Sequence, residues 1–416
     1  MNLLRIYMPA LLLALAPSVF SQTAKLDWSV LPMDLPQAVR TAIPIGPKAA
    51  SDVIHIAVGI PYRNQSQIQA FVDSVSNPAS PNYRHFITPD EVGRRFGIAA
   101  SQVKQVQDYL SSMGMKIRRV AQNRLAILAD ATVSQAEAAF NTTLDEFEAP
   151  DSTMPKGEIL FSFTRPPSVP TSIRRLVLSI EGLENFNKPH SEFTLTPSQL
   201  QTLYSAAPIY HSGYQGQGRT IGITCMTTYG LANIPLLYSY FNLPTPSGGV
   251  GSNVKVVHVN GSNGNVSSGA EGEGDADIQC TLMMAPLCNL IVYDGSAGKL
   301  YLDTLTVEAD ANACDIITES YNVDGSGLDS WRNMHLSMSA QGITNLCAAG
   351  DSGTAGVVKY PYPDADPEVL SVGGTTVAID TAGNRTSEIV WDNPQSDGKG
   401  VGAGGWATIA TNCCAR

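Results

Sequence analysis

The sequence predicts an α/β protein in which a mostly parallel sheet with flanking helices fills the second half, preceded by a smaller α+β unit. Three observations predict it. At 416 residues the chain exceeds one ordinary hydrophobic core. From Gly216 onward, apolar β-branched runs alternate with stretches of helical length and spacing, the pattern of parallel strands joined by crossover helices. A polar, unpatterned stretch at 184–194 separates this half from the first, as a linker does.

In the first half, residues 22–50 are Pro-rich and weakly patterned and read as an extended arm. Val53 to Gly59 alternates as a strand, and Asn64 to Val75 carries Ile68, Phe71, Val72 and Val75 at helical spacing. A turn-rich stretch then ends at Thr88, a candidate helix N-cap. Ser101 to Met113 is a second amphipathic helix, Arg118 to Ala129 reads as two short strands, and Val133 to Phe140 as a third helix. After the linker, Gly216 to Thr224 reads as a turn followed by a strand, further strands are expected at 254–259, 289–293, 315–320 and 342–349, and helices at 302–313 and 330–340. Asp351 then falls beyond the carboxyl end of a strand, where such sheets bind ligands.

Composition narrows the function. Hydrophobic residues make up 43% and charged residues 15%, as in a globular protein. Lys and Arg total 26 against 37 Asp and Glu, a net charge of −11 that disfavours nucleic acid or an anionic membrane as partner. Met1 to Arg5 gives a positive end, Ile6 to Ala16 is mostly apolar, and Val19-Phe-Ser21 suits a cleavage site. Residues 1–21 therefore read as a signal peptide, and the protein is expected to be secreted, to the exterior or the periplasm. No later run is long enough to span a bilayer. All seven cysteines lie in the second half without CxxC or Cys/His metal spacing, and Cys225, Cys314 and Cys347 sit in apolar runs that suit buried thiols. Gly216 and Gly218 lack the third glycine and the helix start of a dinucleotide site.

The stretch with most chemistry is Gly269-Ala-Glu-Gly-Glu273-Gly-Asp-Ala-Asp277-Ile-Gln-Cys, which runs into apolar residues. A helix starting near Gly272 places Glu273 and Asp277 at i and i+4, two carboxyls on one face. Buried, such a pair shifts its pKa values and handles protons; exposed, it is a solvated helix start favoured by the macrodipole. Spacing alone leaves both readings open. Glu271 and Asp275 read as the rest of a charged helix start, His190 as a solvated linker residue, and Asp364 and Asp366 as solvated loop residues. Of the histidines after the linker, His211, His258 and His335, none has a triad-like context.

The first half, with "SNPASPNYRHFITPDEVGRRF", "VQDYLSSMG", "VSQAEAAFNTTL" and "VPTSIRRLVLSIEGLENF", resembles the activation pro-domain of the sedolisin (serine-carboxyl peptidase) family. In the second half, "EGDADIQC", "LCAAGDSG", "YPYPDADPEVLSVGGTT" and "SEIVWDN" are similar to that family's catalytic domain. The resemblance implies a pro-domain at 22–183, a linker at 184–194 and a subtilisin-like peptidase domain at 195–416. It implies Glu273 as general base, Asp277 as the residue that orients it, and Asp351 as a protonated oxyanion donor, a chemistry that requires acid. Implied partners are a protein or peptide substrate and the chain's own pro-domain as inhibitor and folding aid. The family's nucleophile lies in a Gly-Thr-Ser-x-x-x-Pro segment, which these 416 residues do not contain; Ser352-Gly-Thr-Ala has the wrong order and reads as a turn. The family's calcium site would lie in the same missing part, so no cofactor is expected in this chain. Asn322 stands where the family often has glycine. The sequence thus reads as an acid peptidase zymogen cut short before its serine, or as an inactive pseudopeptidase that binds peptides with its pro-domain docked.

Overall fold

The computed structural model describes residues 27–33, 35, 39, 42–148, 159–185, 196–266, 272–297, 300–321, 323, 327–350, 362–364, 366–380, 384–390, 392–393 and 400–401. The expected signal peptide, most of the expected linker with His190, Glu271, Asn322, Asp351, Ser352, Cys413 and Cys414 lie outside the described residues.

The second half is built on six parallel strands. In spatial order they are Val254–His258, Asn289–Asp294, Thr220–Cys225, Ile316–Glu319, Thr344–Ala348 and Val369–Val372. Helices Asn233–Phe241 and Glu273–Met284 pack on one face, where Ile278, Leu282, Leu237 and Tyr238 meet Ile223, Leu290 and Val292. Helices Tyr301–Ala311 and Leu328–Gln341 cover the other face through Leu302, Leu305, Met334 and Met338. Left-handed residues, Asn312 (φ 44°) and Gly342 (φ 92°), stop these two helices and turn the chain back toward the sheet. The α/β expectation holds, with the five expected strands in place and a sixth at Val369–Val372.

The first half is α+β. Its antiparallel sheet runs Lys116–Val120, Ala126–Thr132, Val53–Gly59 and Ser179–Glu181. Strand alternation sends Ile54, Ile56 and Val58 to its own core with Val103, Val106 and Leu110 of helix Ala100–Ser112. The opposite face carries Ala57, Ala126 and Leu128 and shares a core with Leu302, Trp331 and Met334 of the second half. Small residues allow this close seating: a Cβ on Gly59 would collide with Ser330. Thr88 does cap a helix, Pro89–Arg95, through a capping box with Glu91.

The arm is the main departure. Far from being merely extended, it forms Trp28–Val30, paired with Ser168–Pro170, and Ile43–Pro47, paired with Leu144–Glu148. Edge strands can hold prolines such as Pro44 and Pro47, so the composition that argued against structure is compatible with it.

Candidate active site

The sheet order changes direction at Thr220–Cys225, which has Asn289–Asp294 on one side and Ile316–Glu319 on the other. That is a topological switch point, where crossovers diverge and leave a crevice beyond the carboxyl ends of the strands. Three segments leading into or out of strands meet there: Thr227 after the central strand, Ser320 and Tyr321 after the next, and the start of helix Glu273–Met284.

The helix begins where the sequence places it, with Gly272 as N-cap and Glu273 in the first turn. It lacks a side-chain cap, and the Gly274 N–H instead donates to Thr227 Oγ1 at 3.2 Å. Thr227 Oγ1 also lies 3.2 Å from the hydroxyl of the buried Tyr321. Gly274 itself is dictated by proximity, because a Cβ would strike Cys225 Sγ and the Thr228 carbonyl. The helix start is therefore pulled against the sheet, and its acidic face is carried inward with it.

Glu273 and Asp277 thus lie one turn apart on a helix that faces protein. Ser320 Oγ donates to Asp277 Oδ1 at 2.6 Å, and Asp277 Oδ2 is buried with no hydrogen bond among the described residues. Burial, which disfavours the charged form, pushes the Asp277 carboxyl from its ordinary 3.8 to about 7; the Ser320 bond opposes the rise and the charge of Glu273 adds to it. The same acidic surroundings, with burial as the larger cause, push the Cys280 thiol up to about 11 and Cys225 to about 12. These thiols are protonated, and Cys225, Cys314 and Cys347 are buried and free, as their apolar runs suggest. A carboxyl that stays protonated toward neutral pH beside a second carboxyl can hold and pass a proton in acid.

Two expectations for acidic residues fail. Asp275 is no solvated helix start: it is buried and accepts from the Gly230 N–H at 3.1 Å, from Asn233 Nδ2 at 3.1 and 3.2 Å and from Gln279 Nε2 at 2.5 Å. It ties the 229–233 loop to the helix. Asp364 and Asp366 are likewise buried, not solvated. Ser371 Oγ donates to Asp364 at 2.5 Å, and the Tyr362 hydroxyl donates to Asp366 at 2.6 Å.

Asp366 belongs to a buried polar network that sequence reasoning missed. His335 is enclosed between Glu319, 2.8 Å from Nε2, and Asp366, 3.5 Å from Nδ1, with Tyr362 stacked on its ring. Burial works against an imidazolium, but the two carboxylates prevail and lift His335 to about 10. The Tyr301 hydroxyl also donates to Glu319. Both ring nitrogens are thus engaged within the core, so His335 is a structural cation pinning the strand end that carries Ser320.

The first half docks on the helices of the opposite sheet face. Arg118 Nη2 pairs with Asp303 and Arg119 Nη1 with Asp310, each at 3.0 Å, and the Gln122 N–H donates to Asp310 at 2.9 Å. Glu181 accepts from the Leu302 N–H at 2.8 Å and from the Trp331 indole, and burial raises its carboxyl well above the usual range. The Tyr62 hydroxyl donates to the Asn333 carbonyl at 2.9 Å.

With this geometry in place, likeness to known proteins is informative. Residues 42–186 match the Pro-kumamolisin, activation domain family. Over 413 aligned residues the chain is 25% identical to sedolisin of Pseudomonas sp. (strain 101), covering 89% of this chain and 68% of that protein. It is 26% identical to kumamolisin of Bacillus sp. (strain MN-32), covering 89% and 69%, and 26% identical to xanthomonalisin of Xanthomonas sp. (strain T-22), covering 82% and 48%. The chain therefore spans from about half to about two-thirds of the length of these relatives. Among solved structures, Pseudomonas sedolisin complexed with two molecules of pseudo-iodotyrostatin is similar with a TM-score of 0.43 and 22% identity, covering 54% of this chain and 65% of that one. Among the described residues, no helix is long and apolar enough to cross a membrane.

Proposed function

We propose that this chain, a sedolisin-family zymogen with a pro-kumamolisin activation domain, supplies the carboxyl half of an acid-acting serine-type endopeptidase site. The observation that carries the reading is the half-buried Asp277, its Oδ2 enclosed and its Oδ1 bonded to Ser320, one helical turn from Glu273 at the switch point of a parallel sheet. In this reading Glu273 takes the proton of an attacking serine and later gives it to the leaving amine, while Asp277 orients Glu273. Asp351 is assigned the oxyanion site, where a protonated carboxyl donates to the developing charge.

The nucleophile is not assigned, because no Gly-Thr-Ser-x-x-x-Pro occurs in the 416 residues. Calcium, implied by the family and not by any residue described here, is likewise given no site. The substrate is a protein or peptide, and the signal-like start supports secretion. Purified chain, incubated in acid with a denatured protein, is expected to show no turnover. Robust serine-dependent cleavage by these 416 residues would show that they hold a nucleophile and overturn the reading that they supply the carboxyl half alone.

A second reading, an inactive peptide-binding pseudopeptidase, is favoured by the docking of the activation half through Arg118, Arg119 and Glu181. Glu273→Ala separates the two: an enzyme completed with its serine loses turnover, whereas a binding module keeps its peptide.

A further inference from the structure

We propose that Ser320 is a positioning residue for the carboxyl pair: by donating its hydroxyl hydrogen to Asp277 Oδ1 it leaves Oδ2 as the oxygen on which Asp277 holds its proton. This deepens the peptidase reading and rests on it. At 2.6 Å the contact is a short O–H···O hydrogen bond. Asp277 Oδ2 is buried and has no hydrogen bond among the described residues, so the two oxygens of one carboxyl are inequivalent. A proton on Oδ1 would make it a hydroxyl oxygen, a poorer acceptor for the Ser320 hydrogen. A proton on Oδ2 displaces nothing.

The hydroxyl is held from both sides along its own chain. The preceding residue, Glu319, is fixed by His335 Nε2 at 2.8 Å and by the Tyr301 hydroxyl. The following residue, Tyr321, is buried with its hydroxyl 3.2 Å from Thr227 Oγ1, which in turn receives the Gly274 N–H of the acidic helix. Ser320 is therefore held between two anchored neighbours, one fixed to the helices of the other sheet face and one tied through Thr227 to the acidic helix, and its hydroxyl approaches Asp277 from a fixed direction. Among the described residues, the other titratable groups facing Asp277 are Glu273 and Cys280 on its own helix, Cys225 on the central strand and Tyr321 beside Ser320. Ser320 bonds to Asp277 and not to Glu273 in this arrangement, which distinguishes a positioning serine from a nucleophile served by the base.

The test is a titration of the intact chain without substrate. The protonated-carboxyl infrared band of Asp277 is isolated as wild type minus Asp277→Asn and followed from pH 3 to pH 9. Ser320→Ala removes a bond that favours the carboxylate and is expected to raise the Asp277 midpoint by about one pH unit and to shift the band frequency. Ser320→Thr keeps the hydroxyl and is expected to hold the midpoint near wild type. An unchanged midpoint in Ser320→Ala would overturn the proposal, and so would an equal shift in Ser320→Thr, which would assign the effect to packing. Covalent labelling of Ser320 by a fluorophosphonate would overturn it as well, by making Ser320 a nucleophile. Because no substrate enters, a shifted midpoint in a chain that completes no peptidase keeps the role of Ser320 and removes only the catalytic reading.

Discussion

Asp277→Asn is expected to stabilise the folded protein at neutral pH and to leave it unchanged in acid. The folded carboxyl titrates near 7 where the unfolded one titrates near 3.8, chiefly because burial disfavours its charge. A raised carboxyl contributes nothing unfavourable below pH 3.8, where both states are neutral. As pH rises from 3.8 through about 7, the unfolded state ionises first and stability drains away. At ~1.4 kcal/mol for each pH unit between the two values, the full penalty above pH 7 is about 4 kcal/mol. Asparagine carries no charge, keeps an acceptor for Ser320 and is nearly the same size. Urea unfolding at pH 4 and pH 8 checks this: the variant and wild type should differ little at pH 4, with the variant more stable by a few kcal/mol at pH 8. Equal stability at both values would show that the carboxyl is not buried as described, and a less stable variant at pH 8 would reverse the sign of its environment.

Other expectations follow from named contacts. Asp275→Ala leaves the donors of Gly230, Asn233 and Gln279 without their acceptor in the interior and should cost about 2–4 kcal/mol of unfolding free energy, whereas a surface aspartate would cost under ~0.5. Gly274→Ala drives a methyl into Cys225 Sγ and should lower the thermal midpoint by several degrees, with partial recovery in Gly274→Ala/Cys225→Ala. Arg118→Ala strands the buried Asp303 and should cost about 3 kcal/mol in chemical denaturation, more than the double variant Arg118→Ala/Asp303→Ala loses.

How much was legible in the sequence depended on the range of the interactions. Central strands such as Asn289–Asp294 and Ile316–Glu319 announced themselves because parallel strands covered on both faces are continuous apolar runs. The helix start at Glu273 was legible because its spacing and its glycine N-cap are local. Helix Asn233–Phe241 was not, since Pro235 falls in its first turn and its near-continuous apolar run shows no clear periodicity. The arm strands needed partners about a hundred residues away or more. Burial of Asp364 and Asp366 was hidden for a related reason: a Pro-rich loop reads as solvated until His335 and Ser371 are known to face it. The i,i+4 carboxyls could be found from one segment, but Ser320 could not, because its contact with Asp277 closes across the switch point between two crossovers.

The central claim is that Glu273 and Asp277 form the proton-handling part of a serine-carboxyl peptidase. It is tested most directly by joining this chain to a segment that carries Gly-Thr-Ser-x-x-x-Pro and measuring kcat/KM on a peptide substrate from pH 2 to pH 8. The account predicts cleavage in acid that falls away toward neutral pH and is reduced at least about a hundredfold by Glu273→Gln. Acid cleavage by the joined protein that is unchanged in Glu273→Gln would contradict it.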